Sequence, residues 1–361
     1  MDRILSGTWR DDRVLAVLGT GQALPGQPIA TRELLDCIAA RFEINVVRRG
    51  LAAARRLNIR QRHLARSFEH RVEGTRPGDG NPDLAARAVY AALADAGLHP
   101  NDLAYLIGHT VTPAEPVPSN ISAVARLLRY RGPVAEFRQA CTGFINATLF
   151  AAGLCAVSDG RPVAVVGSET GSVFFDPVRA AEDDSQLVNF MQMGDGAGAI
   201  ILGSEQSHTR TARICRLYHG RLETEISPGL RMSGGGSMRP HRSTTETLEF
   251  EHASELVREH AGALFHAALA ATRAQGVNLT TVRHVLPHQA NGRMDSLLGP
   301  HLPPGTNVIV HADRVGNTGS AAIWLTLDEA RRRVFTPGES AIILGAESTN
   351  YSFGGFVYEH A

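Results

Sequence analysis

The chain contains 361 residues, enough for one large or two medium domains with an ample core. Hydrophobic residues make up 43% of it and charged residues 20%, which is ordinary for a soluble globular enzyme. Because 36 Lys and Arg residues balance 36 Asp and Glu residues, no net charge favours nucleic acid or an anionic membrane as a partner.

Two further bulk features bear on where the protein works. Its four cysteines are scattered and form no CxxC pair, a pattern typical of a reducing compartment. No apolar run approaches the ~20 residues of a membrane span, and the start of the sequence lacks the apolar core of a signal peptide. We therefore expect a cytoplasmic protein that binds neither nucleic acid nor membrane.

The first part of the chain alternates strand and helix patterns. A buried strand is predicted over 13–21, ending in a glycine turn, and a helix over 31–49 with Thr31 as its N-cap. The arginine-rich run over 48–66 usually marks a solvated face. The next predicted elements are a loop over 69–82, a helix over 83–97, a strand over 103–108 and a helix over 119–129.

Cys141 lies between an apolar run that begins at Val134 and a small-residue helix pattern over 145–155. A cysteine at such a strand-to-helix turn would lie over the helix N-terminus, where free N–H groups and the dipole favour a thiolate. Gly143 would let the backbone turn tightly and let a ligand approach. The alternative is that Cys141 is only a small buried hydrophobic residue.

The second half repeats the pattern of the first. Matching strand ends lie 179 residues apart at His109 and His288, and 178 apart at Gly167 and Gly345. The strand, turn and small-residue helix around Cys141 recur around Asn317, 176 residues later. Near-constant offsets predict two homologous α/β halves, which we place at residues 1–203 and 204–361.

The duplication has a chemical consequence. Cys141 and Asn317 occupy matching strand-to-helix turns, and His288 follows another predicted strand. Active sites of α/β proteins gather at such carboxyl ends, so the three side chains could meet in one cleft between the halves. Taken singly, His288 could be a hydrogen-bonded core histidine and Asn317 a turn residue.

Several short motifs together resemble the thiolase superfamily, and most closely its β-ketoacyl-acyl-carrier-protein synthase III enzymes. They appear in family order and cover nearly the whole chain. The most specific are Pro287-His-Gln-Ala-Asn291, the cysteine in Ala140-Cys-Thr-Gly-Phe144, and Gly316-Asn-Thr318. Weaker support comes from Gly19-Thr-Gly21, the run from Asn58 to His63, and Gly194-Asp-Gly-Ala-Gly-Ala199.

The resemblance implies a fold and a mechanism. The fold would be the duplicated five-layer α-β-α-β-α thiolase arrangement, in a homodimer, and the site a Cys141, His288 and Asn317 triad. Cys141 would take an acyl group from a coenzyme A or carrier-protein thioester. The backbone N–H groups of Cys141 and Thr349 would form the oxyanion hole. No metal or other cofactor is implied.

Some positions bear on the substrate. The Trp and Arg that often hold the adenine of coenzyme A in this family correspond here to Ala52 and Val173, so that sandwich is absent. Val117 corresponds to a residue that closes the acyl pocket from the partner subunit. Arg258 and Arg293 match basic positions for docking an acidic carrier protein, although Arg258 could equally be ordinary surface charge. Pocket shape would also depend on residues 173–193 and 225–246.

Three functions remain open at this point. The first is decarboxylative condensation with a malonyl thioester, with His288 and Asn317 stabilising the enolate. The second is transfer of the acyl group to a hydroxyl or amine of a small molecule, with His288 as general base. Both would serve specialised biosynthesis, of secondary-metabolite or polyketide type. The third is a non-catalytic partner subunit, against which the intact Cys141 argues.

Overall fold

A computed structural model of the chain describes residues 7–68, 74–207, 211–222, 227–237, 240 and 249–361. Much of the segment 225–246, which we expected to shape the pocket, lies outside these ranges, as does part of the predicted loop over 69–82. The strands are β1 (Trp9–Asp11), β2 (Leu15–Ala23), β3 (Ile29–Ala30), β4 (Gln61–Arg62), β5 (Tyr105–His109), β6 (Val134–Phe137), β7 (Val163–Glu169), β8 (Gly196–Ser204), β9 (Ala212–Arg221), β10 (Leu230–Ser233), β11 (Glu249–His252), β12 (His284–Pro287), β13 (Asn307–Val308), β14 (Ser340–Glu347) and β15 (Ser352–Glu359).

The helices alternate with these strands in both halves. They are α1 (Thr31–Phe42), α2 (Val47–Leu57), α3 (Asn81–Ala96), α4 (Asn120–Leu128), α5 (Gly143–Cys155), α6 (Pro177–Glu182), α7 (Asp184–Gln192), α8 (Ser254–Ala274), α9 (Met294–Leu298), α10 (Ala312–Val315) and α11 (Ala322–Arg333). Within the described ranges, no helix has the length and apolarity that a membrane crossing requires.

The sheet shows the duplication directly. One half has the strand order β6-β5-β7-β8-β2, and the other has the equivalent order β13-β12-β14-β15-β9. In each half the first three strands pair in parallel and the last two pair antiparallel. The halves join where β2 pairs antiparallel with β9, Leu15 opposite Ile214. The predicted duplication is therefore confirmed.

Helices cover and separate the two halves of the sheet, giving five layers. Helices α3 and α4 pack on the outer face of the first half, and α8 packs on the outer face of the second. Helices α5 and α11 form the middle layer, whose core includes buried residues from both halves. This is the predicted α-β-α-β-α arrangement. The predicted domain boundary falls one residue before β8 ends at Ser204 and stays a prediction.

Residue size explains how closely these layers approach. Helix α5 is apolar on nearly all sides because it is enclosed between the two halves of the sheet. Helix α3 instead presents an alanine-rich face to β2. A Cβ atom at Gly21 would lie 2.3 Å from the backbone nitrogen of Ala92, so only glycine allows this contact.

The structure corrects three expectations near the N-terminus. The single helix predicted over 31–49 is two helices, because Glu43 adopts a left-handed conformation with φ of 57° and ends α1. Thr31 begins α1 without capping it, since its hydroxyl donates to the carbonyl of Ile59. In the arginine-rich run, Arg62 is fully buried rather than solvated, and its guanidinium donates to the Met191 carbonyl at 2.7 Å.

A buried histidine connects the two halves. His109 ends β5, is 1% exposed, and accepts a hydrogen bond from Trp324 Nε1 of α11 at 3.0 Å through Nε2. Burial lowers the pKa of His109 to about 3. Protonation of Nε2 would remove the acceptor of this hydrogen bond, and the surroundings of His109 are apolar. The folded state therefore holds the neutral imidazole.

We therefore expect His109 to make the fold sensitive to acid. The pKa of His109 is lower in the folded state than in the unfolded chain. Its contribution to the free energy of unfolding is therefore complete above pH ~6.5 and is lost as the pH falls toward 3. Replacing His109 by glutamine, whose carbonyl can still accept from Trp324, should reduce the pH slope of the unfolding free energy by about 1.4 kcal/mol per pH unit between pH 6 and 4. Urea unfolding of both proteins at several pH values measures this difference, and equal slopes would contradict it.

Candidate active site

Cys141, His288 and Asn317 line one cavity of about 120 Å³. Cys141 lies between β6 and α5, His288 directly follows β12, and Asn317 follows α10. All three therefore lie beyond the carboxyl ends of parallel strands, in equivalent parts of the two halves. The structure brings to one cavity the two residues that the sequence placed in matching turns, Cys141 and Asn317, and the histidine that it placed at another strand end.

The environment of Cys141 differs from the expected one. The residue is partly exposed and two residues before α5, as predicted. However, burial among protein atoms raises the pKa of the Cys141 thiol well above its ordinary value, and the carboxylates of Glu347 and Glu169 raise it further. Burial and the two carboxylates therefore outweigh the stabilisation of a thiolate that we expected from the helix N-terminus.

Besides burial, which is the larger cause, a second anion at the N-terminus of α5 disfavours the Cys141 thiolate. Glu347, at the end of β14, is 2% exposed, and its Oε2 accepts from the Thr142 backbone N–H at 2.8 Å. The same oxygen accepts from the Thr142 hydroxyl at 2.6 Å. The helix dipole stabilises a carboxylate at the N-terminus, and the negative charge of that carboxylate disfavours a thiolate at the neighbouring Cys141.

His288 is a buried, neutral imidazole. It is 3% exposed, and its backbone N–H donates to the Leu344 carbonyl of β14 at 2.6 Å, which holds the residue at the end of the sheet. Burial lowers the pKa of His288 to about 4. Its Nδ1 atom has no hydrogen-bond partner among the described residues.

Backbone contacts hold Asn317 in place. Gly316 has a φ of 76°, which favours glycine, and it turns the chain into the cavity wall. The Asn317 backbone N–H donates to the Gln192 carbonyl at 2.8 Å, and its carbonyl accepts from Gly194 N–H at 3.0 Å. The side-chain Oδ1 accepts from Gly319 N–H at 3.0 Å. The Nδ2 group therefore remains as the donor that a ligand could use.

Glu169 is a second buried carboxyl group on the cavity wall. It accepts from the Val111 backbone N–H at 3.1 Å and from the hydroxyls of Thr112 and Ser320. Burial raises the pKa of Glu169, although these hydrogen bonds oppose the change.

Glu169 and Glu347 hold equivalent positions, at the ends of β7 and β14. Sequence reasoning missed both as site residues. The signal was present, because each follows the glycine of a repeated motif by two residues, at Gly167 and at Gly345. An acidic residue at the same place in both halves predicts a carboxyl pair at one end of the sheet.

The rest of the cavity is mainly apolar. Its wall comes from β10, β11 and α8, with these side chains: Leu230, Phe250, Val257, Ala261, Leu264 and Phe265. Polar side chains also reach it from α7 and β11, namely Asn189, Gln192 and His252. The segments predicted to shape the pocket, 173–193 and 225–246, contain three of these residues, Asn189, Gln192 and Leu230. The side chains from β11 and α8 were not predicted, because only the tertiary packing brings these elements to the site.

Two other predicted site residues lie outside this cavity wall. Ala346, Glu347 and Ser348 line the cavity, whereas Thr349 does not, and its hydroxyl donates to Glu347 Oε1. The oxyanion role of the Thr349 backbone therefore stays a prediction. Val117 is 84% exposed in the single chain. Its predicted role requires a partner subunit and also stays a prediction.

The predicted docking arginines are both exposed. Arg258 lies on α8. Arg293 donates to the Arg56 carbonyl at 2.8 Å and the Arg55 carbonyl at 3.1 Å, at the C-terminus of α2. A cation at a helix C-terminus has a structural role of its own. Docking of a carrier protein at these residues stays a prediction.

The described residues offer no candidate site for a metal ion. Across the ranges that the structure describes, no group of three or more His, Cys, Asp or Glu side chains is placed to hold a metal ion.

Comparison with known protein families agrees with this architecture. The family model described as 3-oxoacyl-(acyl-carrier-protein) synthase III matches residues 135–217, which include Cys141. The model for the C-terminal part of 3-oxoacyl-(acyl-carrier-protein) synthase III matches residues 272–360, which include His288 and Asn317.

Individual proteins match over most of their length. A β-ketoacyl-acyl-carrier-protein synthase III of Cereibacter sphaeroides is 33% identical over 322 residues, covering 88% of this chain and 90% of that protein. In fold, the chain is similar to a tetronic acid condensing enzyme (TM-score 0.78, 22% identity, 96% and 99% of the two chains). It is also similar to a priming β-ketosynthase from a polyketide biosynthetic pathway (TM-score 0.77, 24% identity, 96% of each chain). The motifs, the duplicated fold and this relationship lead to one conclusion: the chain belongs to the β-ketoacyl-acyl-carrier-protein synthase III family.

Proposed function

We propose that this acyl-transferring enzyme forms an acyl-thioester on Cys141 and condenses it with a malonyl thioester. The observation that carries the proposal is the shared cavity of Cys141, His288 and Asn317. In the first step the Cys141 sulfur attacks the carbonyl carbon of a coenzyme A or carrier-protein thioester, and the donor thiol leaves with the proton. The acyl group then remains on Cys141.

In the second step a malonyl thioester binds beside the acyl group and loses CO2. The carbanion attacks the acyl carbonyl, the bond to the Cys141 sulfur breaks, and the Cys141 thiolate that leaves takes a proton from water. Negative charge develops on the malonyl thioester oxygen during decarboxylation, and donors placed in advance stabilise it. Asn317 Nδ2 and the neutral imidazole of His288 are suited to that role.

The low pKa of His288, about 4, supports condensation over general-base catalysis by this residue. A general base works best with a pKa near the working pH, whereas a neutral imidazole is a good hydrogen-bond donor. The partly exposed Cys141 thiol in the cavity also argues against a non-catalytic partner subunit.

The setting we propose is specialised biosynthesis, of secondary-metabolite or polyketide type, in the cytoplasm and as a homodimer. Two departures from the family's usual residues support specialised biosynthesis. Ala52 and Val173 provide no aromatic and basic pair for adenine, and Glu347 places a carboxylate in the loop region where glycine is typical of the family. The exposed Val117 fits a surface that a second copy would cover.

The second candidate is transfer of the acyl group to a hydroxyl or amine. The carboxylate of Glu347 favours it, because a buried carboxylate on the cavity wall could accept the proton of such an acceptor. Mixing the acylated protein with malonyl-carrier protein labelled in the free carboxyl group separates the two. Condensation predicts one CO2 released for each acyl group lost, whereas acyl turnover to alcohols or amines without CO2 release would favour the second candidate.

Variants of the two proposed donors test the mechanism further. Replacing His288 or Asn317 by alanine should leave acylation of Cys141 measurable but slow CO2 release by about 100-fold or more, because one donor to the enolate is lost. Single-turnover measurement of both steps gives this comparison. The same substitution at exposed Asn101 is a suitable control and should change neither step. Equal slowing of both steps by the His288 and Asn317 variants would contradict the assigned roles.

A further inference from the structure

Besides His288, two residues that line the cavity each carry a buried polar atom with no partner in the described residues. Asn189 is 6% exposed and its Nδ2 makes no hydrogen bond. Nδ1 of His252 is also buried without a partner. Buried polar atoms are almost always hydrogen-bonded in folded proteins, so two such atoms in one cavity indicate a ligand that satisfies them.

Neighbouring contacts fix both residues on one side of the cavity. Asn189 lies on α7, and the guanidinium of the fully buried Arg62 holds the end of that helix through the carbonyls of Phe190 at 3.2 Å and Met191 at 2.7 Å. Gln186 of α7 donates through Nε2 to the Phe250 carbonyl of β11 at 2.7 Å. Helix α7 and strand β11 are therefore held against each other, and this contact fixes the part of the cavity wall that contains Asn189 and His252.

The chemistry of these atoms restricts the ligand. The amide nitrogen of Asn189 only donates, so its partner must be an acceptor such as oxygen. Burial lowers the pKa of His252, which keeps this imidazole neutral. No Lys or Arg lines the described part of the cavity, and Glu169 and Glu347 face it. A carboxylate on the acyl chain would find no cation among the described residues beside Asn189, and a neutral oxygen is the group that fits there.

Cavity size limits the rest of the ligand. An apolar cavity of about 150 Å³ holds one benzene molecule. The roughly 120 Å³ here, with its apolar walls at Phe250 and Leu264, therefore suits an acyl chain of only a few carbons.

We propose that the cavity selects a short acyl thioester whose chain carries a neutral oxygen, as a hydroxyl or an oxo group, and that Asn189 donates to this oxygen. His252 provides a second hydrogen bond on the same wall. This inference rests on the proposed acylation of Cys141, in which the donor thiol leaves as the new thioester forms. A water molecule in place of the ligand oxygen is the competing explanation of the unpaired atoms.

The test compares three donors of equal chain length, butyryl, 3-hydroxybutyryl and 3-oxobutyryl, each as a coenzyme A and as a carrier-protein thioester. Acylation of the full chain is followed by intact-protein mass spectrometry. We expect at least one oxygenated thioester to acylate Cys141 about 10-fold faster than the butyryl thioester. The butyryl chain has no oxygen to accept the hydrogen bond from Asn189 Nδ2, which is then left unpaired. Replacing Asn189 by leucine should reduce that ratio to about one.

Controls separate the possible failures. The matched change Asn101→Leu, at an exposed position, should keep the wild-type ratio. If the Asn189 variant does not fold, His252→Phe tests the same wall from β11 and should also lower the ratio. A wild-type protein that takes butyryl as fast as both oxygenated donors would overturn this inference alone. A protein that no donor acylates would overturn it together with the proposed function.

Discussion

Replacing Cys141 by alanine will abolish covalent acylation and reduce turnover at least about 1,000-fold. The alanine variant keeps the fold and the cavity, but it lacks the only group that can hold the acyl chain between the two steps of the proposed mechanism. Removal of a covalent nucleophile typically costs a factor of this size or larger. The increase in protein mass on mixing with an acyl donor measures the effect directly, and peptide mapping places the acyl group.

Cys155 offers a matched control for this experiment. It lies at the other end of the same helix, α5, and is 4% exposed. Cys155 lies in the hydrophobic core and does not line the cavity, so an acyl donor should not reach it. The Cys155→Ala protein should therefore acylate normally. Acylation that persists in the Cys141 variant would contradict the assignment of the nucleophile.

Replacing Glu347 by glutamine will make Cys141 reactive at lower pH. A carboxylate beside a thiol raises its pKa because the two negative charges repel, and glutamine removes that charge while keeping an oxygen for the Thr142 N–H. The thiolate would also gain more from the N-terminus of α5. We expect the midpoint of the pH profile for alkylation to fall by about one pH unit or more, which is about a tenfold gain in thiolate at a fixed lower pH.

Iodoacetamide labelling rates of Cys141 at fixed pH values between 6 and 10, followed by peptide mapping, measure this shift: the whole rate profile of the variant should move to lower pH, giving about tenfold faster labelling at each pH below the midpoint. The change Glu205→Gln is a suitable control, since Glu205 is a partly exposed residue paired with Arg213 and does not line the cavity. The alkylation profile of Cys141 in the Glu205 variant should coincide with that of the wild-type protein. An unchanged or higher midpoint in the Glu347 variant would mean that its carboxylate does not control the thiol.

The sequence was informative about the fold because the same local pattern occurs twice. A strand, a turn and a small-residue helix recur around Cys141 and Asn317 at a near-constant offset, and the sheet has the same strand order in both halves. Side chains that follow equivalent strands must lie at equivalent places. The meeting of Cys141, His288 and Asn317 at one cavity could therefore be predicted before the structure.

Features that depend on packing between distant segments could not be predicted in this way. Arginine is usually solvated, so nothing local indicated that Arg62 would be buried against the end of α7. Helical spacing continues past Glu43, and only its backbone conformation ends α1. The charge of Glu347 was visible in the sequence, but its contact with Thr142, 205 residues away, determines its effect on Cys141.

The carboxylate of Glu347 at the start of α5 also bears on how the protein survives oxidants. Peroxides attack thiolates, and a protonated thiol is converted to sulfenic acid slowly. A nucleophile held as a thiol while no donor is bound is therefore shielded from oxidative loss between turnovers. The same side chain that makes Cys141 a weaker nucleophile at rest would preserve it for the next cycle.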